Sequence, residues 1–99
     1  MVIYQRNKQM IQLIEVIKNT KNYELREVFV NPTHVVMLRE DYATRSAINE
    51  GKVIEGVDPR QQYTRVTVHN GTTGSQFIVV GSPSVVETKL KSGRQLLNG

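Results

Sequence analysis

Residues 63–80, YTRVTVHNGTTGSQFIVV, place an Asn-Gly pair between two apolar, β-branched runs. Asn and Gly tolerate the positive φ that a tight hairpin turn demands, so this is the strongest short-range hairpin signal a sequence carries. Thr64, Val66 and Val68 alternate with Tyr63, Arg65, Thr67 and His69, which gives the first arm a dry face and a wet face. The second arm, Phe77-Ile78-Val79-Val80, is continuously apolar and is expected to be the more buried. The hairpin defines architecture and almost nothing about chemistry.

The same texture of short β-rich segments cut by turn signals runs from Met10 to Leu90. Residues 10–18, MIQLIEVIK, admit two readings. Met10, Leu13, Ile14 and Ile17 fall at helical spacing with Asn7 as an N-cap, whereas Ile11, Ile14, Val16 and Ile17 are β-branched and favour a strand. NTKN at 19–22 punctuates as a turn. Residues 23–31 read as a strand ending at Asn31-Pro32, because the residue before Pro is pushed out of the α region. Residues 34–39 are another strand, and the tight NPT link predicts that the two turn sharply on each other.

Residues 40–62 are polar, with two Gly and an Asp58-Pro59 turn signal. A connection of this length in a small domain is expected to be mobile and to carry partner contacts, for which Tyr42, Arg45, Lys52 and Arg60 are the candidates. Part of it reads as a helical turn with Asp41 as N-cap, Ala43, Ala47 and Ile48 on one side, and Gly51 as stop. GSPSVVETKLK begins a further helix. It is capped either by Ser82 with Pro83 at the first helical position or by Ser84 with Glu87 three residues on, and Gly93 ends it. The domain layout is therefore a leader or extra edge strand over residues 1–9 (Val2, Ile3, Tyr4), one β-rich domain over 10–90 with a 41–62 insertion, and a tail over 91–99.

Ninety-nine residues with 38% hydrophobic and 22% charged side chains suit a single globular domain. Without Cys there is no disulfide framework, thiolate nucleophile or Cys-based zinc site. No apolar run approaches the roughly 18 residues that span a bilayer, and MVIYQRNKQ lacks the apolar core of a signal peptide, so a cytoplasmic protein is expected. The net charge of +4 is uneven: residues 1–21 and 88–99 carry +3 each and the middle −2. Basicity at the two ends favours solvated termini over a shaped nucleic-acid surface.

The chemistry-bearing residue types form no catalytic constellation. His34 and His69 lie at strand ends and have no third metal ligand at a readable spacing. Glu40, Asp41, Glu50, Glu55 and Asp58 are scattered along one polar connection. GTTGS at 71–75 lacks the Lys and the following helix of a phosphate loop. No catalytic residue, cofactor or metal is expected. Tyr63 and Arg65 share a strand face with Thr67 and His69, a pattern that single-strand binders use for base stacking beside a basic group. The candidate nucleic-acid contacts are Tyr63, Arg65, His69, Lys89, Lys91 and Arg94.

M-I-x-L at 10–13, the turn at 19–22, F-V-N-P at 29–32, the apolar strand at 35–38, V-x-N-G at 68–71, V-V at 79–80 and S-x-x-V-V at 82–86 together resemble the FlbD-like small flagellar proteins. The resemblance covers residues 10–90. It tips residues 10–18 toward strand, and it implies a cytoplasmic, non-enzymatic accessory protein acting through protein contacts. It offers no catalytic residues. The chain departs from that pattern in its 40–62 insertion and in having NTKN where an Asn-Gly turn is usual. Taken together, the expectation is a mainly β domain of about five strands in a small barrel-like or strongly twisted antiparallel sheet, with one short C-terminal helix. It is expected to be a non-catalytic interaction protein whose partners are another protein, itself as a homo-oligomer, or, as the second reading, nucleic acid. Neither a membrane span nor a metal is expected.

Overall fold

The computed structural model describes residues 10–20, 22–51 and 57–98, with side chains through Ser92. Strands β1 (Ile11–Lys18), β2 (Tyr23–Val30), β3 (Val35–Glu40), β4 (Tyr63–His69) and β5 (Gly74–Val80) form one antiparallel sheet in the order β2-β1-β5-β4-β3. Helix α1 (Tyr42–Asn49) joins β3 to β4, and helix α2 (Pro83–Asn98) follows β5. The architecture is mainly β, as the residue pattern predicts, in a twisted sheet that does not close. Residues 1–9, expected as a leader or extra edge strand, and Lys52 lie outside the described residues.

Residues 11–18 are a strand. They pair in unbroken register with β2, from Ile11 opposite Val30 to Lys18 opposite Tyr23. Their helix-like spacing has a physical cause. β1 is an inner strand with both faces covered, so Leu13 is buried on one face and Val16 on the other, and the strand's apolar residues escape simple alternation. The run of apolar residues in β5 has the same origin, because β5 is the central strand. The second arm is not the more buried one, however: β4 buries Tyr63, Thr64 and Val66, and β5 only Val79, because α1 packs over the start of β4.

The Asn-Gly hairpin forms with a longer turn than the two-residue type. His69 pairs with Gly74, so Asn70–Thr73 make a four-residue loop. The Asn70 N–H donates to Thr73 O at 3.1 Å, and Asn70 Oδ1 accepts from the N–H groups of Thr72 (3.3 Å) and Thr73 (3.1 Å). Gly71 supplies the positive φ, +100°. Asn70 thus acts through its side chain, an alternative turn chemistry open to Asn.

β2 and β3 do not turn on each other; they are the two opposite edges of the sheet. Pro32–His34 form a 3-10 turn whose first N–H groups are met by Asn31, whose Oδ1 accepts from the Thr33 N–H (3.0 Å) and Oγ1 (2.8 Å). This turn redirects the chain rather than reversing it. β3 then pairs with β4, which lets Val35 and Leu38 pack with Val66 and Val68 in the main core.

Each sheet face is covered by one helix. On the first face Leu13, Val30, Val66 and Val79 pack with Val86 and Leu90 of α2, two residues one turn apart. On the second face Val16 and Tyr63 pack with Ile48 of α1. Asp41 caps α1, accepting from the Thr44 N–H (3.3 Å) and from Thr44 Oγ1 (2.8 Å). Part of the polar 40–62 connection is therefore core-building, with Thr44 and Ile48 buried. Ser82, not Ser84, caps α2: its Oγ accepts from the Val85 N–H at 3.3 Å, while Ser84 O accepts from Thr88 Oγ1 inside the helix. α2 continues through Gly93 to Asn98 and does not stop at the glycine.

Candidate functional site

The residues expected to form a nucleic-acid platform are distributed over both sides of the sheet. Tyr63 is 2% exposed beneath α1, so its ring is not offered to a base. Alternation along β4 assigned Tyr63 to the wet face; the helix of the insertion covers that end of the face and makes it a second core. Arg65, half-buried on the same face, is held by Gln76 Oε1 (3.2 Å) and by Asp41 Oδ2 (3.5 Å). His69 is exposed, and its Nδ1 accepts from the Gly71 N–H at 3.1 Å. Lys89 and Lys91 are exposed on α2, across the sheet from Arg65, and Lys91 pairs with Glu87 at 3.7 Å. The Arg94 side chain lies outside the described residues.

The candidate partner-contacting residues of the connection fare differently. Tyr42 is 66% exposed on α1, Arg45 is half-buried, and exposed Arg60 forms an ion pair with Asp58 at 3.0 Å that holds the Asp58 carboxyl below its ordinary range. His34 and His69 sit beside the paired ends Val35 and Val68, but no cluster of three or more His, Cys, Asp or Glu forms among the described residues. GTTGS runs from the hairpin tip directly into β5. No helix among the described residues is long and apolar enough to cross a membrane.

The Tyr63 hydroxyl is buried and finds no hydrogen-bond partner among the described residues. Burial also pushes its phenol above its ordinary pKa near 10. An unpaired buried hydroxyl costs about 1–3 kcal/mol, so Tyr63→Phe is expected to hold or raise stability at pH 8. Above pH 10 the unfolded phenol ionises while the folded one keeps its proton, so the wild-type chain loses stability as pH rises through that window. Urea melts at pH 8 and pH 11 are expected to show a smaller alkaline loss in the variant. A loss of more than about 1 kcal/mol at pH 8 would mean the hydroxyl has a partner.

What the structure offers a partner is its edges. The β3 edge is blunted. Register shifts between Val35 and Met37, leaving Val36 bulged and 63% exposed, and Glu87 and Leu90 of α2 flank the groove beside it. β2 has no bulge, no Pro and no Lys over eight paired residues, and nothing among the described residues pairs with its outer side. Hydrogen bonding alternates along the β1–β2 ladder from the Asn19 N–H to Asn22 O bond. The main-chain groups of Tyr23, Leu25, Glu27 and Phe29 therefore point outward. Leu25 (40% exposed) and Phe29 (57%) lie on this strand, and an apolar cleft at its end is lined by Met10, Phe29, His34, Val68 and Phe77.

None of these edge features stands out in the sequence as a site. Leu25 and Phe29 read as ordinary strand residues, and only the strand order shows that their strand is an edge. Arg39 is likewise unmarked until register places it directly opposite Arg65. Comparison of the chain with known protein families, with curated proteins and with solved structures finds no match.

Proposed function

We propose that this chain is a non-catalytic accessory protein of the cytoplasm that works by protein–protein contact and associates with itself. The observation that carries this reading is the β2 edge, eight residues long, with which nothing among the described residues pairs and on which Leu25 and Phe29 are exposed. Such an edge presents a row of main-chain donors and acceptors to any strand that approaches. The resemblance to FlbD-like flagellar proteins supports the same kind of role.

Sedimentation velocity on the full chain tests this. A concentration-dependent shift to a larger species by tens of micromolar is expected for an edge contact of modest area. A monomer throughout that range would overturn self-association.

A second reading, nucleic-acid binding, has one specific support. Arg39 and Arg65 are directly opposite on one face, beside Met37, Thr67 and Gln76. Like charges so placed repel and would welcome an anion. Salt-resistant binding of an oligonucleotide by the monomer would favour this reading over the first, because a few exposed charges give binding that salt abolishes.

A further inference from the structure

We infer that a second copy of this chain adds to β2 across a two-fold axis through Leu25, joining the two sheets into one continuous antiparallel sheet. The inference rests on the self-association proposed above and specifies its surface and register. The outward main-chain groups belong to the odd-numbered residues of β2, so two such edges bond to each other only in an even set of offsets. Facing side chains must also share a sheet face. The central registers that satisfy both conditions have the axis at Leu25, at Arg26 or at Glu27.

Charge separates the three. An axis at Arg26 sets Arg26 against its own copy, and an axis at Glu27 does the same with Glu27. An axis at Leu25 sets Glu24 opposite the partner's Arg26 and Arg26 opposite the partner's Glu24, with apolar Leu25 facing itself. Glu24 and Arg26 already lie on one face and pair within the strand at 2.8 Å. Across the axis each gains a second partner of opposite sign. The β3 edge offers no competing site of this kind, because its bulge at Val36 breaks the ladder.

The register has a direct readout, since the chain contains no Cys. Leu25→Cys in an otherwise intact chain is expected to form a disulfide dimer under mild oxidation, because directly opposite bonded residues have Cα atoms about 5.5 Å apart, within disulfide reach. Arg26→Cys and Glu27→Cys are expected to cross-link far less. Charge reversal reads the same pairing. Glu24→Arg alone and Arg26→Glu alone should each weaken the dimer at least about tenfold through two like-charge contacts. An equimolar mixture of the two folded variants should regain it, as an all-basic strand meets an all-acidic one. If Arg26→Glu fails to fold beside Glu15, which lies opposite it on β1, the cysteine series still decides the register. Cross-linking strongest at Arg26 or Glu27, or a dimer indifferent to Glu24→Arg, overturns this inference while leaving self-association standing. A chain that is monomeric throughout overturns both.

Discussion

Replacing Leu13 with Ala is expected to destabilise the fold by about 2–5 kcal/mol, the largest effect of any single truncation considered for this chain. Leu13 is 1% exposed and sits where β1 meets Val30, Val66 and Val79 of the sheet and Val86 and Leu90 of α2. The loss combines the transfer of the removed methyl groups with a cavity that neighbours on three strands and a helix cannot all collapse to fill. A domain of this size has about 5–15 kcal/mol in total, so the variant should melt many degrees lower, at about 4–8 °C per kcal/mol. Val85→Ala on the same helix is the control. Val85 is 49% exposed, and its truncation should stay within about 0.5 kcal/mol. Equal melting shifts for the two variants would show that α2 does not pack on the sheet as described.

Gly81→Ala is expected to cost about 1–3 kcal/mol through the backbone rather than through crowding. Gly81 joins β5 to α2 with φ +118°, a conformation L side chains rarely adopt, while a Cβ there would meet Val85 and Val86 at an ordinary 3.6 Å. The strain has no easy outlet. The Gly81 N–H donates to Gln62 O (2.9 Å), and its carbonyl accepts from the fully buried Thr64 Oγ1 (2.7 Å). Relaxing φ would break one or both bonds and shift the start of α2. Thermal melts of Gly81→Ala against Ser84→Ala, an exposed site on the first turn of α2, check this. An unchanged midpoint for the glycine variant would mean the junction tolerates a different backbone.

These two sites share a consequence for any partner. α2 and its junction pack on one face of the sheet and α1 on part of the other, and the β2 edge lies outside both. If the β2 edge is the contact, substitutions at Leu13 or Gly81 should affect association only by unfolding the chain, whereas Glu24→Arg, opposite uncharged Ile17 on β1, should affect association without moving the melting point of the monomer much, because exposed ion pairs contribute little to stability.

The local chemistry of this chain was legible one segment at a time. Asn70 and Gly71 marked the hairpin, Asp41 marked the start of a helix, and Pro32 ended a strand, because each acts on backbone conformation within a few residues of itself. β-branched residues settled most strands for the same reason. Only the tertiary structure decided which strands are neighbours. The NPT link reads as a sharp return, yet β2 and β3 end up at opposite edges, because β1 takes the side of β2 that a return would use and β3 instead pairs with β4, where Val35 and Leu38 pack with Val66 and Val68. Tyr63 departs from the alternation pattern for the same cause: alternation assigns a residue to a face but cannot say which parts of that face a distant helix will cover. Leu25 and Glu24 carry no local mark at all. Their strand becomes an edge only when β5 takes the other side of β1, a pairing between residues more than sixty positions apart that no local propensity encodes.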